Sequence, residues 1–244
     1  MCPDAMPPNT GSQAALEKLL APGSLCRASE LQSRMDAFPI YRTGQDWLRN
    51  RIMQPHPDLK RPGAVCPFVA QSMAQDCMIF GVRLGARGGA EAALDIMLPF
   101  IDAFRAIEPI EGPLLGLKAL TVFFPDLPQT DWAGFIDGGH ALLKPILVAR
   151  GLMLGEFHPE STKPGASNAE IPAMQAPVPA FVIREMAMHD TKFINDAAEA
   201  PERRALYLRS YLDRLGNVVP RKMREAAQRM LDAVEAEAKG RRVG

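Results

Sequence analysis

The chain lacks the sequence motifs of several large enzyme classes. It contains no GxSxG elbow, no HExxH pair, no Walker A sequence and no GxGxxG after a predicted strand. These absences argue against the commonest hydrolases, zinc proteases, nucleoside triphosphatases and dinucleotide-binding enzymes. Cysteine is also scarce, and the four cysteines include no CxxC pair. A zinc knuckle or redox dithiol is therefore not predicted, and we expect reduced thiols.

The chain also lacks an excess of charge and any long apolar run. Lys plus Arg and Asp plus Glu both total 28, so no overall field attracts nucleic acid or an anionic membrane. No apolar run approaches the roughly 20 residues that cross a bilayer, and residues 1–11 lack the features of a secretion signal. We expect a cytoplasmic protein that binds a small-molecule substrate, without a nucleic-acid or membrane partner. A homo-oligomer is compatible with the sequence.

The apolar pattern predicts one α/β domain of the α+β type. With 47% hydrophobic residues, the chain can bury an ordinary core. Short apolar segments predict a central, mostly antiparallel sheet of about four or more strands. The predicted strands are 77–82, 117–124, 152–157 and 179–186. We expect an N-terminal tail and helical cover at 1–54, the core at 55–200, and a C-terminal helical pair at 201–244.

Helical spacing of apolar residues recurs around these strands. The predicted helices are 12–20, 29–35, 43–53, 89–107, 130–148, 200–215 and 220–239. Gly138, Gly139 and Pro145 interrupt the fifth of them, which predicts a kink or two shorter helices. These helices are expected to cover the sheet.

The most concentrated polar cluster is the segment 155–160, GEFHPE, at the end of a predicted strand. Strand alternation places the Glu156 and His158 side chains on the same face. A histidine beside a carboxylate can act as a general base, a proton shuttle or an axial metal ligand. Glu156 and His158 are therefore candidate catalytic residues, and His158 is also a candidate metal ligand. The alternative is a His-Pro turn with a surface histidine.

Two further residues are candidates for ligand binding. Cys66 precedes Pro67 in a constrained turn, where a thiolate could act as a nucleophile or bind haem iron, although a lone cysteine is usually a small buried hydrophobe. Arg184 interrupts an apolar strand and must either meet a carboxylate or bind an anionic ligand. Pairing of Arg184 with Glu156 is the structural alternative.

Two other histidines have weaker sequence contexts. His189 and Asp190 form a second base-and-carboxylate pair, which makes His189 a candidate catalytic residue or part of a helix cap. His140 follows two glycines that do not match a phosphate loop. We expect His140 to be a core or helix-end histidine.

Several segments in a common order resemble a bacterial family catalogued as domain of unknown function 6875. These segments are VCPF at 65–68, FFP at 123–125, GLMLGEFHP at 151–159 and the stretch 179–186, which contains IREM. The resemblance covers roughly residues 55–200. It implies an accessory protein of specialised metabolism without an agreed activity.

The order of elements is also distantly similar to haem-dependent N-hydroxylases of guanidino compounds. That resemblance implies a noncovalently bound haem, with His158 or Cys66 as the axial ligand and Arg184 at a propionate. The leading hypothesis is a small-molecule enzyme of bacterial specialised metabolism that performs haem-dependent oxidation. Two alternatives stay open: a noncatalytic ligand-binding or partner protein, and a cofactor-free acid-base enzyme that uses His158 and His189.

Overall fold

The computed structural model describes residues 10–56, 62–165 and 168–243. The helices are α1 (Thr10–Leu19), α2 (Leu31–Arg34), α3 (Ile40–Trp47), α4 (Pro67–Ala74), α5 (Ala90–Ala106), α6 (Gly139–Ala149), α7 (Thr191–Ile194), α8 (Pro201–Leu215) and α9 (Arg221–Val243). Two π-helical segments adjoin them: Leu48–Ile52 continues α3, and Ala133–Gly138 leads into α6. Within the described ranges, no helix combines the length and the apolar character needed to cross a membrane.

Five strands form the main sheet, in the order β1-β2-β3-β7-β4. The strands are β1 (Cys26–Arg27), β2 (Met78–Val82), β3 (Ala119–Phe123), β4 (Leu152–Phe157), β5 (Pro164–Gly165), β6 (Asn168–Pro172) and β7 (Ala180–Glu185). Strands β5 and β6 form a separate antiparallel pair. Strand β4 therefore lies at one edge of the main sheet, beside β7.

The sequences of the central strands explain their positions. Every residue of β2 and β3 is buried, which accounts for their unbroken apolar sequences, since strands covered on both faces do not alternate. The two strands are parallel, with Phe80 opposite Thr121. A parallel pair needs a long crossover connection, and the segment between the strands includes α5. Strand β7 is antiparallel to β3, with Ile183 opposite Leu120.

The predicted α+β class is confirmed. The predicted strand 152–157 coincides with β4, and the bounds of the other three predicted strands differ from the observed ones by at most two residues. Strands β1, β5 and β6 were not predicted. The break predicted at Gly138 and Gly139 is the change from π-helical to α-helical geometry.

Contacts along the chain divide it into two compact units. Unit one comprises Met1–Leu143 and Leu154–Arg184, and unit two comprises Lys144–Met153 and Glu185–Gly244. The apolar core of unit one includes the fully buried Tyr41 and Phe80, and that of unit two includes Tyr207 and Tyr211. The domain boundaries proposed from the sequence near residues 54 and 200 stay predictions.

Candidate functional site

The candidate site lies in unit one, where the π-helical segment and the first turn of α6 meet the end of β4. Asp137 is in the π-helical segment, and His140 follows three residues later in α6. Residues three apart on a helix project from the same side. The Nε2 atom of His140 lies 3.2 Å from the carbonyl oxygen of Leu154 in β4. Segments of π-helix occur often at functional sites.

His158 lies just beyond β4 and is paired with Asp137. Its Nε2 atom is 3.1 Å from Asp137 Oδ2, and the His158 side chain is only 4% exposed. Because an ionised carboxylate can only accept, Nε2 carries the proton and a neutral ring presents a lone pair at Nδ1. The sequence suggested Glu156 as the residue that orients His158. The structure places Asp137 in that role, because a side chain from the facing helical segment reaches the ring nitrogen.

Glu156 has different neighbours, although it points to the same side of β4 as His158. Its Oε2 atom lies 3.0 Å from His140 Nδ1 and 2.6 Å from Lys163 Nζ. The Lys163 Nζ atom is also 3.9 Å from Asp137 Oδ1. We refer to Asp137, His140, Glu156, His158 and Lys163 as the acid-base cluster. It contains two carboxylates, two imidazoles and one ammonium group in continuous contact.

The hydrogen bond of His140 constrains its protons. The Leu154 carbonyl oxygen can only accept, so His140 Nε2 carries a proton. His140 Nδ1 lies 3.0 Å from Glu156 Oε2, which is within ion-pair distance but does not have hydrogen-bond geometry.

The backbone around His158 is fixed on both sides. Its carbonyl oxygen accepts hydrogen bonds from the amides of Ser161 at 3.2 Å and Ala176 at 3.4 Å. Residue 158 also forms an isolated parallel bridge with Gln175. Pro159 favours an extended conformation at the residue before it. The imidazole ring is thus held by backbone contacts, by Asp137 and by packing, with the Trp132 ring centroid at 6.1 Å.

Arg184 lies on the opposite face of the sheet from Glu156. A Cβ atom on Gly155 would stand 2.7 Å from the Phe157 ring and 3.6 Å from Val182 Cβ, so these three residues share one face. By strand alternation Arg184 lies on the face of Val182, and Glu156 on the other. The structure therefore does not bring Arg184 and Glu156 together.

Cys66 and His189 are also separate from the acid-base cluster. Cys66 immediately precedes Pro67, the first residue of α4, and packs against the apolar core of unit one. His189 belongs to unit two and is exposed. The Asp190 Oδ2 atom accepts a hydrogen bond from the Ala187 amide at 2.7 Å. This contact closes a turn before α7, and the Asp190 side chain makes no capping hydrogen bond to that helix.

The residues around His158 do not fit a haem group. Its Nε2 atom is bonded to Asp137, and its Nδ1 atom is buried, so iron in a large macrocycle has no approach to either nitrogen. Within the part of the chain that the structure describes, no group of three or more His, Cys, Asp or Glu residues is arranged to hold a metal ion.

Sequence reasoning missed Asp137 and Lys163 and gave His140 only a structural role. A signal for Asp137 and His140 was present, because they are polar residues three apart in a largely apolar helical segment. The pattern does not reveal which strand such a pair faces. Lys163 follows β4 in a polar segment that contains other charged residues, and the sequence offered no signal that singled it out.

A family model described as Domain of unknown function (DUF6875) matches residues 41–226. The match includes every member of the acid-base cluster and extends beyond the segments that carry the resemblance. No curated protein and no solved structure matches the chain. The second resemblance, to haem-dependent N-hydroxylases, has no support from these comparisons.

Proposed function

The chain belongs to the family described as Domain of unknown function (DUF6875), a description without an activity, and we propose that it is an acid-base enzyme with His158 as the proton acceptor. Asp137 orients the ring and stabilises the imidazolium that forms on protonation. The substrate is a small molecule with a group that loses a proton. The observation that carries the proposal is the 3.1 Å contact between Asp137 Oδ2 and His158 Nε2, which leaves Nδ1 without a partner among the described residues.

The surroundings of His158 support this role over that of an ordinary core histidine. A histidine that only fills space would have both ring nitrogens satisfied or exposed to water. Here one nitrogen is oriented by a carboxylate and the other is buried with its lone pair unused. Asp137 and Lys163 are 30% and 37% exposed at their side chains, so the cluster reaches the surface through them. We infer that a substrate approaches from that side.

The experiment compares the wild-type chain with His158→Gln on a bacterial small-molecule extract, with mass spectrometry following each compound over time. General base catalysis contributes about 10²- to 10⁴-fold, so a compound that the wild type consumes should be lost more slowly by that factor in His158→Gln. Asp137→Asn should also slow the reaction, because an amide does not hold the same tautomer in place. His56→Gln is the matched histidine control and should retain the wild-type rate.

Two results would contradict the proposal. Equal consumption by His158→Gln and the wild type would remove His158 from the chemistry. A compound that is retained by the protein but never converted would indicate a noncatalytic binding protein. Circular-dichroism melts of all variants show whether any loss of rate comes from unfolding.

A further inference from the structure

Lys163 contacts both carboxylates of the acid-base cluster. Its Nζ atom is 2.6 Å from Glu156 Oε2 and 3.9 Å from Asp137 Oδ1. The other oxygen of Asp137, Oδ2, is 3.1 Å from His158 Nε2. The Asp137 carboxylate therefore meets an ammonium group through one oxygen and the His158 ring through the other. This arrangement connects the charge of Lys163 to His158.

The charges around His158 decide whether its ring is neutral in the resting protein. Burial by itself favours the neutral ring, whereas a neighbouring carboxylate favours the imidazolium form. The side chains of His158 and Glu156 are only 4% and 7% exposed, so solvent screens the charges beside them weakly. A general base must be neutral before it accepts a proton. Two carboxylates without a nearby cation would favour a ring that is already protonated.

The other titratable groups near His158 have different contacts. His140 lies 3.0 Å from Glu156 Oε2, on the side of the cluster away from the aspartate. Glu160 is exposed and accepts a hydrogen bond from Gln129. Of these groups, only Lys163 lies within ion-pair distance of both carboxylates. Its ammonium group is therefore the charge that balances them.

We infer that Lys163 is a positioning residue that keeps His158 neutral at rest, an inference that rests on the role proposed for His158. The ammonium group offsets part of the negative charge of Asp137 and Glu156. Asp137 still accepts the Nε2–H bond and orients the ring, but it favours the imidazolium form less. The Lys163 side chain is 37% exposed, so the size of this effect is that of a partly screened ion pair.

The test follows the His158 ring by ¹⁵N NMR from mildly acidic to mildly alkaline pH, in the full chain without substrate. The chain has four histidines, and His158→Gln assigns the signal of His158. Lys163→Met removes a positive charge and therefore favours the imidazolium form. We expect the midpoint of the His158 titration to move to higher pH by about 0.2 to 0.7 of a pH unit.

Four further variants separate charge from packing. Lys163→Arg keeps the charge and should keep the wild-type midpoint. Lys192→Met, which removes an exposed lysine of unit two, should also match the wild type. Glu156→Gln removes a negative charge, so it should lower the midpoint by itself and should bring the midpoint of Lys163→Met back towards the wild-type value. Circular-dichroism melts show which variants are folded.

An unchanged midpoint in folded Lys163→Met would overturn the inference, and so would a midpoint that moves to lower pH. An equal movement in Lys163→Arg would overturn it as well, because packing and not charge would then be the cause. The outcome is separable from that of the proposed function. A raised midpoint with equal consumption by His158→Gln and the wild type would retain the effect of Lys163 and remove the catalytic role of His158. Consumption that depends on His158, together with an unchanged midpoint, would do the reverse.

Discussion

Gly139 of α6 lies so close to Ala93 of α5 that a Cβ atom on Gly139 would stand 2.5 Å from the Cβ of Ala93 and 3.3 Å from the Phe181 ring. No side chain fits at this point of contact. The close approach fixes the start of α6, and therefore fixes Asp137 and His140 on either side of Gly139. The position of the acid-base cluster thus depends on a helix contact that contains none of its members.

We expect Gly139→Ala to lower the free energy of unfolding by about 1–3 kcal/mol, the usual cost of forcing an extra methyl group into a packed contact. The His158 imidazole signal should shift as well, because Asp137 moves with the helix start. Urea unfolding and ¹⁵N NMR measure the two effects. Gly134→Ala is the control, since its nearest neighbour would be Gly89 Cα at an ordinary 3.4 Å. Adding Ala93→Gly to Gly139→Ala should restore stability, because it removes the methyl group that the new side chain meets. A Gly139→Ala protein as stable as the wild type would show that the two helices are not in close contact at this point.

Lys118 provides a second structural prediction, at the end of α5. Its side chain is buried, and Nζ donates hydrogen bonds to the carbonyl oxygens of Phe104 at 3.0 Å and Ile107 at 3.1 Å. We expect Lys118→Met to lower the free energy of unfolding by about 1–3 kcal/mol for each carbonyl left without its donor. The exposed Lys192→Met should change it by less than about 0.5 kcal/mol. Similar urea midpoints for the two variants would show that the two hydrogen bonds of Lys118 do not stabilise the fold.

The sequence predicted the longer strands of the main sheet but not its two-residue strand β1 or the separate pair β5 and β6. Strands β2, β3, β4 and β7 have five or six residues with a run of apolar side chains, so each carries its own signal. Strand β1 has two residues, and β5 has two. Such short strands exist because of their partners, and a local pattern cannot reveal them. The same reasoning applies to the π-helical geometry of Ala133–Gly138, which depends on packing.

The site was predicted only where its residues are neighbours in sequence. Glu156 and His158 were found because strand alternation places both on one face. Their partners, Asp137, His140 and Lys163, lie on other segments, and only the fold brings them to β4. Sequence reasoning therefore assigned Glu156 to His158, although each of these residues contacts a partner on a different segment. Arg184 was paired with Glu156 because their strands were expected to be neighbours, without knowledge of which face of the sheet each residue occupies.

The contact between His140 and Glu156 predicts a measurable coupling. The two side chains are 15% and 7% exposed, with 3.0 Å between Nδ1 and Oε2. Single variants His140→Asn and Glu156→Gln should each destabilise the protein, and a double-mutant cycle should give an interaction energy of about 0.5–3 kcal/mol. Urea unfolding at neutral pH supplies the four free energies. The control is a cycle between His140 and Glu225 of unit two, whose carboxylate is paired with Arg221, and its interaction energy should be within about 0.5 kcal/mol of zero. Additive free energies in both cycles would mean that the contact between His140 and Glu156 contributes nothing to the stability of the protein.

Glu199 and Lys144 of unit two give a prediction about acid stability. Lys144 Nζ lies 2.9 Å from Glu199 Oε1, and the side chains are 12% and 19% exposed. Burial by itself raises the pKa of Glu199, but the hydrogen bond and charge of Lys144, together with Arg203, outweigh burial and hold that pKa below its ordinary value of 4.5. A carboxyl group with a lowered pKa contributes stability that is complete above the unfolded pKa. That contribution is lost as the pH falls through the folded pKa.

We therefore expect Lys144→Met to be less stable than the wild type by about 1–3 kcal/mol at neutral pH, with the difference shrinking as the pH falls below 4.5 and through the lowered pKa of Glu199. Urea unfolding across this range measures it. Lys144 also lies 5.3 Å from the Tyr207 ring centroid, and the loss of that contact does not depend on Glu199. Glu199→Gln isolates the pH-dependent part, because it should reduce the acid-sensitive difference while Lys144 stays over the ring. The difference in the free energy of unfolding between Lys144→Met and the wild type could instead be constant from neutral to acidic pH. The ion pair would then have no role in acid stability, and the Tyr207 contact would account for the whole effect.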